Sequence, residues 1–171
     1  MAGPSVRTDI VDVYVFRHGA AGGRGDVQFL QMRRCHGAMA GTWQPVMGHV
    51  EEGETATEAA ARELAEETGW ECQPHASTSP VLGFWQLEPV NTYFLNQLDC
   101  IMMSPCFAVE VASDAEPTCD DAHDAHRWVR REETNMQFIW PGQRTAVAAI
   151  LRDLVSPTSP VTDVLRITTT P

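Results

Sequence analysis

Residues 48 to 70 read GHVEEGETATEAAARELAEETGW. The fixed points are Gly48, Glu54 and then Arg62-Glu63-Leu64-x-Glu66-Glu67-x-Gly69-Trp70. Four carboxylates, Glu54, Glu63, Glu66 and Glu67, crowd one short segment. Carboxylates this close repel one another unless a hard cation sits among them. Mg²⁺ takes such oxygen ligands and keeps positions open for substrate phosphates. Thr55 or Thr57 reads as an N-cap and Gly69 as a C-terminal stop. The residues between them are good helix formers apart from Thr57. On a helix, Glu63, Glu66 and Glu67 stand at i, i+3 and i+4 and share a face. Ala60, Ala61 and Leu64 fall beside it, where a sheet can cover them. Arg62 precedes Glu66 by four residues and is placed to orient a carboxylate. A glycine at each end of the preceding loop, Gly48 and Gly53, lets backbone carbonyls approach a metal closely.

A solvated, Glu-rich helix is the ordinary meaning of a charge run. Here nine fixed positions match together, on the order of one in a billion per start point at average residue usage. The run resembles the Nudix box in full. That resemblance implies an α/β fold, the Nudix α/β/α sandwich with a mixed β-sheet. It also implies Mg²⁺ or Mn²⁺ dependence and water attack on a phosphorus. By position, Glu63 and Glu67 resemble the main metal ligands with Glu66 beside them, and the Gly48 carbonyl resembles the backbone ligand. Arg62 and Glu54 resemble the supporting ion pair, and Glu63 also resembles the base that activates water. Glu63, Glu67 and Arg62 are therefore the expected catalytic residues.

The rest of the chain sets the surroundings. At 171 residues and 43% hydrophobic it suits one domain, placed at 1–155, with a flexible Ser/Thr/Pro-rich tail at 156–171. Val11–Phe16 and Val27–Met32 read as a hairpin around the Gly-rich turn His18–Asp26. Residues 88–100 read as an insertion or long hairpin. Met102–Val111 reads as a strand broken by Pro105, His126–Val129 as a short strand and Pro141–Val155 as a final helix. Five cysteines, odd in number and without CxxC spacing, argue against disulfides or zinc and for a reducing cytoplasm. No run is apolar enough to span a membrane, and the start lacks a secretory signal. The net charge of −11 disfavours long nucleic acids. A small nucleotide-like, diphosphate-containing substrate remains compatible, because a bound metal supplies positive charge locally. The oligomeric state is not fixed by the sequence, and a homodimer is compatible with it.

TWQPVMGHVEEGET, HDAHRWV and FIWPGQRTAVAAI resemble the dATP and dihydroneopterin-triphosphate pyrophosphohydrolase branch. That branch places a glutamate ligand where this chain has Ala122. Asp120 and Asp121 are the expected substitutes, Asp121 being taken as the ligand, with Glu110 or Glu116 behind them. Arg33 resembles an arginine near the substrate phosphates, and Trp43 is the expected aromatic contact. Trp85, Tyr93 and Trp140 are further stacking candidates. The expected activity is Mg²⁺-dependent release of pyrophosphate and a monophosphate from a dATP-like triphosphate. The alternatives are a diadenosine polyphosphate or nucleotide sugar as substrate, or a non-catalytic domain that senses nucleotides.

Overall fold

The computed structural model describes residues 3–19, 26–37, 39–72 and 79–168. The Gly-rich turn is therefore visible only at its ends, where the Gly19 amide donates to the Asp26 carbonyl at 2.7 Å; residues 20–25 lie outside the described residues.

The centre of the sheet is β2 (Ile10–His18). Its alternation sends Val11, Val13 and Val15 to one face and Tyr14 and Phe16 to the other, all of them buried. A strand buried on both faces must be interior, and β2 has neighbours on both sides. It runs antiparallel to β3 (Val27–Arg34) and β5 (Val46–His49), and parallel to β7 (Cys100–Val111). β3 in turn pairs with β4 (Trp43–Gln44) and β8 (His123–Arg130). β1 (Ser5–Arg7) pairs parallel with the start of β7. The result is a mixed eight-stranded sheet.

α1 (Ala56–Thr68) covers the Val11 face, burying Ala59, Ala60 and Leu64. α2 (Pro141–Ile150), with proline in its first turn, covers the Phe16 face through Ala146, Val147 and Ile150. The layers are those of the Nudix α/β/α sandwich. Beyond Ile150 the helical path continues to Val155 but widens to π geometry from Leu151.

β6 (Val81–Leu95) and β7 make one long antiparallel hairpin, so 88–100 is its tip rather than a separate insertion. β7 also runs unbroken through Pro105, contrary to expectation. Proline has no N–H to give to a ladder. Here β1 pairs with residues 100–102 and β2 with residues 106–111, so Pro105 falls in the gap between partners. None of the five cysteines is in a disulfide. No helix among the described residues is long and apolar enough to cross a membrane.

The segment expected to be flexible makes specific contacts as far as Ile167. The Trp85 indole N–H donates to the Thr162 carbonyl at 3.0 Å, and the Ile167 amide to the Phe84 carbonyl at 2.8 Å. The Arg166 guanidinium lies 4.6 Å from the centre of a Trp85 ring. The sequence hid this because the contacts are scattered: two bonds to main-chain carbonyls, one cation–π pair, and single apolar residues, Leu165 and Ile167, packed on the core without a periodic pattern. Truncation after Val155 should lower the melting temperature by about 5 °C, as expected for loss of about 2 kcal/mol from a chain this size. Differential scanning fluorimetry reads it, and an unchanged melting temperature would show that the contacts contribute nothing.

Candidate active site

α1 begins where a reciprocal cap forces it to. Thr55 Oγ1 accepts from the Glu58 amide, and the Glu58 carboxylate accepts from the Thr55 amide at 2.8 Å. It ends at Gly69, whose φ of 78° is left-handed and suits glycine. Those two ends set the phase of the helix. Leu64 then faces the core, while Glu63, Glu66 and Glu67 face β5 and the loops beside it.

Arg62 is the hub of this group. Its Nε and Nη2 donate to the two oxygens of Glu54, both at 3.0 Å. Nη1 reaches Glu63 Oε1 at 2.8 Å and Glu66 Oε2 at 3.1 Å. Nη2 also donates to the His49 carbonyl at 2.7 Å. One guanidinium thus binds three carboxylates and the strand next to Gly48. Glu54 is held below the usual carboxylate range, first by the Arg62 hydrogen bond. The Arg62 pKa is raised, first by Glu54.

Glu63 and Glu67 sit differently. The Glu63 carboxylate lies against the Cα of Gly48: a Cβ added there would come within 1.9 Å of it. Burial raises the Glu63 pKa and Arg62 opposes the rise. Glu67 is 5% exposed, and its Oε2 has no hydrogen-bond partner among the described residues. Its pKa is pushed up to about 9, by burial first, then by Glu63 and Asp120. His123, also buried, stands beside it with Nε2 3.9 Å from Glu67 Oε2. Asp120 Oδ1 lies 2.8 Å from His123 Nδ1. Asp121 is exposed, and its recorded bond is through its carbonyl, which accepts from the Cys35 thiol at 3.2 Å. Of the two loop acids, Asp120 is the one that meets His123 and whose charge bears on Glu67.

Among the described residues no three side chains from His, Cys, Asp and Glu are gathered about one point. Repulsion accounts for the spread. Glu63 and Glu66 turn to Arg62, and Glu67 is buried with its pKa pushed up. The donor set nevertheless suits a hard divalent cation: all ligating atoms are oxygens, one buried carboxylate oxygen is orphaned, and Gly48 leaves room for its carbonyl to take part.

Arg33 and Trp43 are register partners on β3 and β4. Arg33 is held by both oxygens of Asp124, at 2.7 and 3.0 Å, and lies 5.7 Å from the Trp43 ring. Arg127 lies closer, 4.3 Å from that ring, with its Nε and Nη2 on Gln31 Oε1 at 2.9 and 2.6 Å. His123 was not expected beside Glu67. The alternation of HDAHRWV did not show it: a register shift sets His123 opposite Arg34 and Ala125 opposite Arg33, so His123 reaches the α1 face while Arg127, opposite Gln31, lies on the other.

A model of the NUDIX domain matches residues 7–150. The chain belongs to the Nudix family. Comparison with curated proteins finds no match. Among solved structures, a NUDIX hydrolase from Listeria monocytogenes is 24% identical, with a TM-score of 0.63, covering 84% of this chain and 92% of the other. An Ap4A hydrolase from C. elegans is 16% identical, with a TM-score of 0.65, and the coverage is 84% and 95%. A MutT protein from Methanosarcina mazei is 22% identical, with a TM-score of 0.59, and the coverage is 86% and 94%. At these identities the likeness is one of fold. The protein is a Nudix hydrolase, acting on a phosphorus-containing anhydride, in a family that generally uses divalent metals.

The buried acids give a pH test. Glu67 takes up protons on folding, because its folded pKa of about 9 exceeds its ordinary value of 4.5. Stability of the metal-free protein therefore falls as pH rises from about 4.5 to about 9. Asp12, at about 7, adds to the fall only below that pH. Between pH 7 and 9, Glu67→Gln should flatten the slope and melt higher than the parent at pH 8.5. Thermal melts in EDTA read this, and equal slopes would mean that Glu67 is ionised in the folded protein.

Proposed function

We propose that the protein is a Mg²⁺-dependent pyrophosphohydrolase of a nucleoside triphosphate of the dATP type, releasing pyrophosphate and the monophosphate in the cytoplasm. The observation that carries this is Glu67 Oε2, buried without a partner beside the Glu63–Gly48 contact. A buried orphan acceptor is costly unless something positive meets it.

Glu63, Glu66, Glu67 and the Gly48 carbonyl would hold the metal, with Asp120 approaching from the β8 side. Bound there, Mg²⁺ or Mn²⁺ supplies positive charge against the phosphate oxygens and activates water. The protein's own residues do the rest. Arg62 engages Glu63 Oε1 and leaves Oε2 to accept a proton. Burial raises the proton affinity of Glu63, which favours that role. A water oxygen bonds to the α-phosphorus as its proton passes to Glu63. The bond from that phosphorus to the bridging oxygen breaks, and pyrophosphate leaves with the electron pair. Arg62 and Glu54 fix the carboxylate through the reaction, so its position costs no reorganisation. His123, oriented by Asp120, limits how far Glu67 can swing. Arg33 and Trp43 are proposed as phosphate and aromatic contacts, reached from the sheet face they share with Gln31 and Arg127 rather than from that of α1.

The decisive assay offers dATP, dGTP, diadenosine tetraphosphate and ADP-ribose with MgCl₂ and separates pyrophosphate from orthophosphate and nucleotides. Pyrophosphate plus a monophosphate from the triphosphates is expected. Faster cleavage of the dinucleoside tetraphosphate would assign the protein to the other substrate class.

Glu67→Gln keeps size and loses charge, so kcat should drop on the order of a hundredfold or more at saturating Mg²⁺. Asp120→Asn should raise the Mg²⁺ concentration needed for half-maximal rate, whereas Asp121→Asn should not. The reverse order in a Mg²⁺ titration would return the loop role to Asp121.

A further inference from the structure

β6 leaves part of its border open. Among the described residues it pairs with β7 on one side and with no strand on the other. Toward its start that border is closed, because Arg166 bridges to Trp85 and Pro89 has no N–H to offer. At its end the chain leaves the strand in a 3₁₀ turn, Asn96–Leu98. What remains is the run from Val90 to Leu95, whose outer N–H and C=O groups are free to take another strand.

The two faces of this run differ. Asn91 turns to the α2 side, where its Nδ2 donates to Asp12 Oδ2 and, at 2.9 Å, to the Tyr14 hydroxyl. Val90, Thr92 and Phe94 therefore face the α1 side. Across β7 they meet Pro105, Met103 and Ile101, and Ile101 in turn meets Val6 on β1. The core beneath α1 takes in Phe107 and Val109 and stops short of this band. Val90 is 48% exposed and Phe94 54%, and Val6 and Met103 are exposed with them. An apolar band that runs to an open strand marks an interaction surface.

Its charge selects the partner. Between Glu88 and Glu110 the only charged residue is Asp99, on a chain of net charge −11. Two copies repel one another over most of their surface, and this hairpin is where they can meet. The run also complements itself. With a two-fold axis at Thr92, Phe94 of one copy faces Val90 of the other, Thr92 faces Thr92, and Glu88 faces Asn96. Aromatic with β-branched and threonine with threonine are favourable cross-strand pairs. An axis at Asn91 or Tyr93 sets Glu88 against Phe94 or Leu98 instead.

We propose that the run from Val90 to Leu95 pairs antiparallel with the same run of a second copy, about a two-fold axis at Thr92, and joins two sheets into one. The apolar band then continues from Val6, Ile101 and Phe94 of one copy to Val90 and Pro105 of the other. A two-fold contact occupies the same patch on both copies, so assembly stops at the dimer. So short an interface belongs at the weak end of specific contacts, with a dissociation constant on the order of micromolar. The pairing is independent of the phosphate chemistry proposed above.

Sedimentation equilibrium over a dilution series reads the mass. It should pass from one chain to two as the concentration rises through the micromolar range. A single-chain mass up to about 100 µM, far above such a constant, overturns the inference, and so does any assembly larger than a dimer. Phe94→Glu should hold the protein at one chain mass throughout. The residue is exposed, so the fold stands, and circular dichroism checks it. A dimer that survives this change overturns the inference. Thr92→Cys tests the register without removing an apolar contact. Mild oxidation should link two copies through the new thiols, reversibly by reductant, to an extent the parent with its five cysteines does not reach. Leu82→Cys, exposed on the same strand but far from the axis, should not link. Failure of Thr92→Cys to link, or equal linking by Leu82→Cys, also overturns the inference.

Discussion

The arrangement around α1 depends on one guanidinium. Without Arg62, Glu54, Glu63 and Glu66 would face one another across a few ångströms with nothing positive between them. Arg62 satisfies all three and also ties α1 to β5 through the His49 carbonyl. Its planar fork of donors allows this, whereas a lysine ammonium would be a point charge with fewer directions. The pair with Glu54 is partly shielded from solvent, so it persists where a surface pair would be screened.

The second constraint is that Glu67 is left out of that arrangement. It lies on the same helix face but receives nothing from Arg62, and it sits deeper. Two neighbouring carboxylates are thus separated in character: Glu63 is braced by a cation, and Glu67 is desolvated with its pKa raised. A fold that supplied arginines to both would be more stable and would have less capacity to bind a metal. This is stability given up at a functional position.

Much of this was legible in the sequence for a physical reason. The box residues are local: one helix with its cap and stop sets which carboxylates share a face, and no long-range information is needed. The β-strands were legible where both faces are buried, as in β2. What the sequence hid is non-local. Asp120 and Asp121 have equal claims by composition, and only the turn into β8 decides between them. His123 gains its place beside Glu67 from the pairing of β8 with β3. Pro105 looked like a strand breaker because its register with β1 and β2 is not written in its neighbours. The Asp12–Asn91 contact joins residues far apart in the chain. The downstream tail failed to declare itself because its contacts are few and aperiodic, with Leu165, Arg166 and Ile167 each meeting a different part of the domain.

That tail bears on how one border of the sheet is covered. β6 is an outer strand, paired on one side to β7, and it carries exposed Leu82, Val90 and Phe94. Such a strand offers free amides and carbonyls to any extended chain. Proteins often guard these borders with lysine, but this chain has none: its twelve basic residues are all arginine. Here a length of backbone does the guarding. Arg166 makes an antiparallel bridge to Trp85, and Ile167 takes the Phe84 carbonyl. The bulge between Gln86 and Val90 bends the strand just beyond that bridge. The last described residues of the chain thus occupy the border of β6 at Phe84 and Trp85, where an extended chain could otherwise add, so this stretch of edge is covered by backbone rather than by charge.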